Sequence, residues 1–284
     1  MGSVRQTRKA LGQTALGMML VAGVGQAYAG NIHRIVDFNN NLSLSFVHSH
    51  VGYGERTAPS GAYLDTESGF INGGRVGFAA MGSDVLPNLY IEASYQQVTG
   101  DTTYVGGVQN LATGAVTPLV ENDNARMTDY GFRLGQGIAL GGVSMLTPFF
   151  TYGTHHWLRG QMPSAAAPYD YQENYRNDYI GFGFKWEVMP TRHFLASVTG
   201  IYGRTVRPTM DAPVLGMAEG LGPKPWVQAG FTLNYIFNRH ESVFAGATFT
   251  KFQYGQGRLL ASGFEEPFSQ TELTDYRIGV RFLI

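Results

Sequence analysis

The last nine residues, Tyr276 to Ile284, constrain the fold more than any other stretch. Taken alternately, Tyr276, Ile278, Val280, Phe282 and Ile284 form an apolar row, while Asp275, Arg277, Gly279 and Arg281 form a polar or small one. A β-strand sends successive side chains to opposite faces, so one face of this segment meets an apolar medium and the other carries two arginines. In a water-soluble sandwich the apolar row would be core. In a membrane-spanning strand it would face acyl chains, and the arginines would face a lumen.

The start of the chain favours the second reading. Arg5, Arg8 and Lys9 form a basic region, Ala15 to Val24 is a short apolar run, and Ala27-Tyr28-Ala29 is a small-x-small cleavage site. This is the pattern of a secretory signal peptide over residues 1–29, too short to stay as a membrane helix. Its removal leaves 17 Lys and Arg against 21 Asp and Glu, a net charge of −4, which argues against nucleic acid as a partner. The absence of cysteine excludes disulfides, thiolate chemistry and cysteine metal sites. With 38 Gly, 18 Phe and 16 Tyr but only 14% charged residues, the chain needs a large apolar sink. Short alternating segments rich in glycine and aromatics place that sink outside, in lipid.

Ten segments carry the alternation: Leu42–Tyr53, Gly69–Ala80, Asn88–Val98, Arg126–Leu140, Met145–Trp157, Asn177–Val188, His193–Arg204, Trp226–Phe237, Ser242–Tyr254 and the terminal strand. In Ser242–Tyr254, placing Lys251 inward sends Phe244, Phe252 and Tyr254 outward. Connections alternate between long (54–68, 99–125, 158–176, 205–225, 255–274) and short (81–87, 141–144, 189–192, 238–241), as in a barrel with long outer loops and tight periplasmic turns. Lipid cannot satisfy an open sheet edge, so the sheet must close. The fold expected is all-β, a closed antiparallel transmembrane β-barrel of about ten strands over residues 42–284, after a periplasmic lead-in at 30–41. Within the long connections, 99–125 reads as a hairpin above the membrane. The proline-rich 205–225 reads as a stiff irregular lid.

On these features the chain resembles the bacterial outer-membrane β-barrel proteins. The resemblance implies an outer-membrane location, contact with outer-membrane lipid and lipopolysaccharide, and handling by the barrel-assembly machinery. Tyr276, Ile278, Val280, Phe282 and Ile284 would serve as the assembly-signal strand, ending in isoleucine where phenylalanine is usual. Ten strands is similar to the omptin proteases, and the loop-rich, aromatic character to opacity-type adhesins.

Alternation assigns Arg75, Glu92, Asp129, Arg133, Lys185, Glu187, Asp275, Arg277 and Arg281 to the lumen. Mixed charge in a narrow barrel favours a plugged bore over a solute path. His48 and His50 share the apolar face, and His155-His156 sits at a strand end. Neither arrangement carries a metal-site signature, and no metal or cofactor is expected. The omptin likeness implies acidic groups with a histidine near the outer rim, for which Asp170, Glu173 and Asp178 are the acids at hand. No catalytic residue is singled out. The expected function is a structural or surface-interaction role, porin-like in architecture, with at most weak passage of small solutes and an unidentified loop ligand. The alternatives are a membrane-embedded hydrolase at the outer rim and a narrow channel.

Overall fold

A computed structural model of the chain describes residues 31–57, 59, 61–82, 86–109, 113, 115–161, 171–258 and 265–284. The signal peptide expected at residues 1–29 falls outside the described residues. A short helix, α1 (Asn31–Phe38), comes first, within the stretch expected as a periplasmic lead-in. Twelve strands follow: β1 (Asn41–Arg56), β2 (Tyr63–Met81), β3 (Leu89–Gln109), β4 (Val116–Gln136), β5 (Ile138–Ala139), β6 (Ser144–Gly160), β7 (Gln172–Thr191), β8 (Phe194–Ala212), β9 (Met217–Gly220), β10 (Gly222–Ile236), β11 (Glu241–Gly255) and β12 (Phe268–Leu283).

Ten of these form an antiparallel ring in chain order, closed by β1 against β12 from Asn41↔Leu283 to Arg56↔Phe268. The two extras are local. β5 continues β4 past Gly137 and pairs with β6, and β9 folds back on β8. Pro148 on β6 falls opposite the break between β4 and β5, where the ladder needs no amide donor.

The outside of the ring carries an apolar band. Leu42, Leu44 and Phe46 on β1, Ile180, Phe182 and Phe184 on β7, Val227, Phe231 and Leu233 on β10, and Ile278, Val280 and Phe282 on β12 are all exposed, Phe182 to 74%. So continuous an apolar surface is stable only against lipid, and a closed ring is one of the two backbone arrangements that lipid permits. The short turns and both described chain ends lie at one rim, the periplasmic one by the usual rule. At the other rim the strands run well past the band. β1 continues from Phe46 to Arg56, and β3 and β4 stay paired out to Gln109↔Val116. The connection at 99–125 is therefore a hairpin, as its composition suggested.

Two local expectations are corrected. The proline-rich 205–225 stretch is ordered pairing, not an irregular lid. Arg207 takes a left-handed φ of 49° at a bulge beside Pro208, Pro213 opens a single 3-10 turn, and Pro223 and Pro225 sit at a register break in β10. Each proline thus occupies a place where its missing N–H is not required. On β11, Phe244, Phe252 and Tyr254 point inward and are buried, while Lys251 points outward to Glu272. The polar-inside rule fails there because the bore is filled with aromatic side chains.

Candidate functional site

The bore is stacked in four layers. At the periplasmic rim Ile35 and Phe38 of α1 pack on Met81, Tyr90, Met145, Met189, Leu195 and Ile236. The first turn of β1 follows directly, and Asn39 fixes the helix end. Its side-chain amide donates to the Ile35 carbonyl at 2.9 Å and to Glu187 at 2.8 Å, and its oxygen accepts from Lys185 Nζ at 2.6 Å.

Above this lies a polar cavity of about 130 Å3. All nine residues that alternation assigns to the lumen line it. Arg133 meets Glu92 at 3.2 Å, Lys185 meets Glu187 at 3.4 Å, and Arg75 approaches Glu92 at 3.8 Å. Asp275 accepts from Ser49 at 2.6 Å and from Gln96 at 3.0 Å. Asp129 is held by His155 Nδ1 at 2.7 Å.

The third layer is an aromatic plug at the upper edge of the lipid band. Trp226 stacks between Tyr179 (4.3 Å) and Phe252 (4.6 Å), and Tyr53 stands edge-on to Trp157 (4.9 Å). Val47, Ile71, Val98, Met127 and Met210 complete it.

The fourth layer lies above the membrane, where Arg159 of β6 reaches across the bore. Its guanidinium meets Glu67 of β2 at 2.8 Å, Glu55 of β1 at 3.1 Å and Glu173 of β7 at 3.3 Å, over the Tyr53 ring at 4.4 Å. Tyr53 donates to Glu55 at 2.7 Å, and Tyr175 donates to Glu266. Asp65 sits directly across the ladder from Glu55. One arginine cannot offset so many carboxylates, so the cluster keeps protons. Burial, then the Glu55 charge, pushes the Asp65 carboxyl up to about 8. Burial raises Glu173 to about 6 against the pull of Arg159, and also raises Glu266. The cluster ties β6 to β1, β2 and β7 across the bore.

The histidines separate. His155 faces the plug, fully buried, with Nε2 lacking a hydrogen-bond partner. His156 faces outward and bonds Asn174. His48 and His50 lie outside against Phe70 at 4.7 and 4.9 Å. Of the rim acids, Glu173 is in the Arg159 cluster, Asp178 faces outward to Arg207 and Thr154, and Asp170 lies outside the described residues. Among the described residues no group of three His, Cys, Asp or Glu side chains is placed to hold a metal ion.

Sequence reading missed two features. One is the Arg159 cluster itself, although Tyr53-x-Glu55, Trp157-x-Arg159 and Glu173-x-Tyr175 repeat an aromatic and a charge on the inward face. The other is an apolar stripe on the outer face of the β3–β4 hairpin, above the lipid. Val105 and Val120 are directly opposed and 47% and 68% exposed, and Val116 is 64% exposed, with Pro118 between the two β4 valines.

A closed ten-strand ring with an apolar outside and a filled bore defines the class, a transmembrane β-barrel of the outer-membrane type. The chain is similar in fold to the outer membrane protease OmpT from Escherichia coli, with a TM-score of 0.52 over 87% of this chain and 97% of that one, at 9% identity. The translocator domain of the autotransporter NalP from Neisseria meningitidis gives 0.40 at 14% identity over 89% and 94%. Ail, the attachment invasion locus protein of Yersinia pestis, gives 0.30 at 10% identity over 85% and 97%. No family model and no curated protein matches the sequence.

Proposed function

We propose that this protein is a non-conducting outer-membrane barrel that acts through a surface interaction above the bilayer. The observation that carries this reading is the apolar stripe of Val105, Val116 and Val120 on a hairpin standing clear of the lipid band. The Val105–Val120 pair helps hold the hairpin, and with Val116 it leaves an apolar face in water that matches the apolar face of a partner protein. Two features support the role. The bore is blocked by α1 below and by the aromatic plug above, so solute passage is disfavoured. The Arg159 cluster holds the walls beneath the hairpin, which lowers the ordering cost of binding.

The remaining partners follow from chemistry. Arg126, Arg176 and Arg204 project outward just above the band, at the height of outer-leaflet phosphates, and suit lipopolysaccharide. The terminal row from Tyr276 to Ile284 suits the barrel-assembly machinery.

The test pairs two measurements. Refolded protein in planar bilayers is expected to stay electrically silent, and stepwise openings would sink the non-conducting half. Bacteria displaying the protein are expected to lose autoaggregation and adhesion when Val105→Glu and Val120→Glu are combined. Unchanged adhesion in a correctly folded double variant would remove the stripe as the binding surface.

A further inference from the structure

The polar cavity in the bore has an unbalanced charge. It lies at the depth of the acyl chains, since Arg277 and Arg281 alternate along β12 with the lipid-facing Ile278, Val280 and Phe282. At that depth an unneutralised charge is costly, and arginines there are normally paired or face water. Its lining contains five cationic side chains and four carboxylates. The carboxylates are already committed. Glu92 serves Arg133 and Arg75, Glu187 serves Lys185, Asp129 serves His155, and Asp275 is turned to Ser49 and Gln96.

Two arginines are left over. Among the described residues neither Arg277 nor Arg281 has a salt bridge. Arg281 is partly compensated, bonding Asn234 at 3.1 Å and Asn41 at 3.4 Å with its guanidinium over Phe244 at 4.6 Å. Arg277 is not. Its one hydrogen bond goes to Thr248 at 2.9 Å, and its Nε is buried without a partner. Of the charges around it, Arg75 repels it most strongly, and Asp275 attracts it without a direct contact. The ladder explains why these groups gather. Gly279 lies opposite Ser45 of β1, and Ser45 lies opposite Arg75 of β2, so Arg75 stands level with the gap between Arg277 and Arg281. The floor between them is built of small residues. A Cβ on Gly279 would stand 2.2 Å from the Leu44 carbonyl, and one on Gly77 would stand 2.7 Å from Ser43 Oγ. Glycine is therefore the residue that fits both places, and the wall between Arg277, Arg281 and Arg75 carries only glycine and serine on its inner face.

We propose that this cavity is a binding site for one small monovalent inorganic anion, of halide or nitrate size, held chiefly by Arg277 and Arg75. The single excess positive charge sets the valence, and a cavity of about 130 Å3 has room for an ion of this size. The anion neutralises the bore and is captured as the barrel closes, because both ends are blocked afterwards.

The test is to refold the protein into detergent in sodium chloride, sodium bromide or sodium gluconate at equal ionic strength and measure the thermal unfolding midpoint. Chloride and bromide are expected to raise it by several degrees over gluconate, a bulky organic anion that does not match a compact guanidinium-lined site. Arg277→Gln should abolish the difference, whereas Arg192→Gln in the exposed turn between β7 and β8 should retain it. Equal midpoints in all three salts, or a halide effect that survives Arg277→Gln, would overturn the proposal. Should Arg277→Gln fail to fold, crystals of the wild-type protein refolded in bromide give an independent readout. An anomalous peak between Arg75 and Arg277 is expected, and its absence would also overturn the proposal.

Discussion

At the scale of single residues, the cluster around Arg159 makes stability above the membrane depend on pH. Asp65 ionises near 8 in the folded protein against 3.8 for a free carboxyl, so folding takes up a proton in between. A carboxyl raised in this way contributes stability that is complete below about pH 4 and lost as pH rises through about 8. Glu173, raised to about 6, and Glu266 act in the same direction. Proteolysis at the outer end should therefore be slower at pH 5 than at pH 9. Asp65→Asn should protect that end at pH 9, by about 1–2 kcal/mol of local opening free energy once solvent screening and the proton shared with Glu55 are discounted. A wild-type cleavage rate that falls between pH 5 and pH 9 would contradict this. The nine lumen residues were legible because a single parity rule places them. Arg159 was not. It lies within a stretch, 158–176, whose glycine and following polar residues read as loop, and its partners come from β1, β2 and β7, far apart in sequence.

At the scale of elements, two independent blocks stand in series. Helix α1 closes the periplasmic end and the Trp226–Phe252–Tyr179 stack closes the other. Deleting residues 31–38 alone should leave planar bilayers silent. Adding Trp226→Ala and Phe252→Ala to the deletion should produce conductance steps. Steps from the deletion alone would mean that the aromatic layer is not a seal. The helix was hard to read because it is only eight residues long and owes its place to Asn39 bonding Glu187 and Lys185, distant partners that no local pattern reveals. Strand β11 misled for a different reason. Its aromatics occupy the inward parity, and a rule that assumes a watery bore assigns them to lipid. The hairpin of β3 and β4 was legible, since β-formers flank a turn there, whereas the prolines of 205–225 hid a pairing that bulges and a register break make room for.

At the scale of the molecule, lipid is the solvent that the fold is built for. Phe184 lies midway along the apolar row of β7, and Phe184→Arg should cost about 2–4 kcal/mol of folding free energy in vesicles, the range for a basic residue at the midplane of a barrel wall. Thr128→Arg, on the outer face of β4 and separated from Arg176 by His156 along the ladder, should be close to neutral. Equal losses at positions 128 and 184 would place the band elsewhere.

The pairing of Asn41 with Leu283 has one more consequence. The first and last strands of the ring are the ones that meet, so no partial ring has a protected rim: until the seam zips, two rows of bare amides and carbonyls stand open at once. Every interior tie that crosses from β1 or β2 to β6 or β7 also waits for that final zip. Such a body matures in one late stroke rather than by gradual growth, and whatever occupies the bore at that instant stays there.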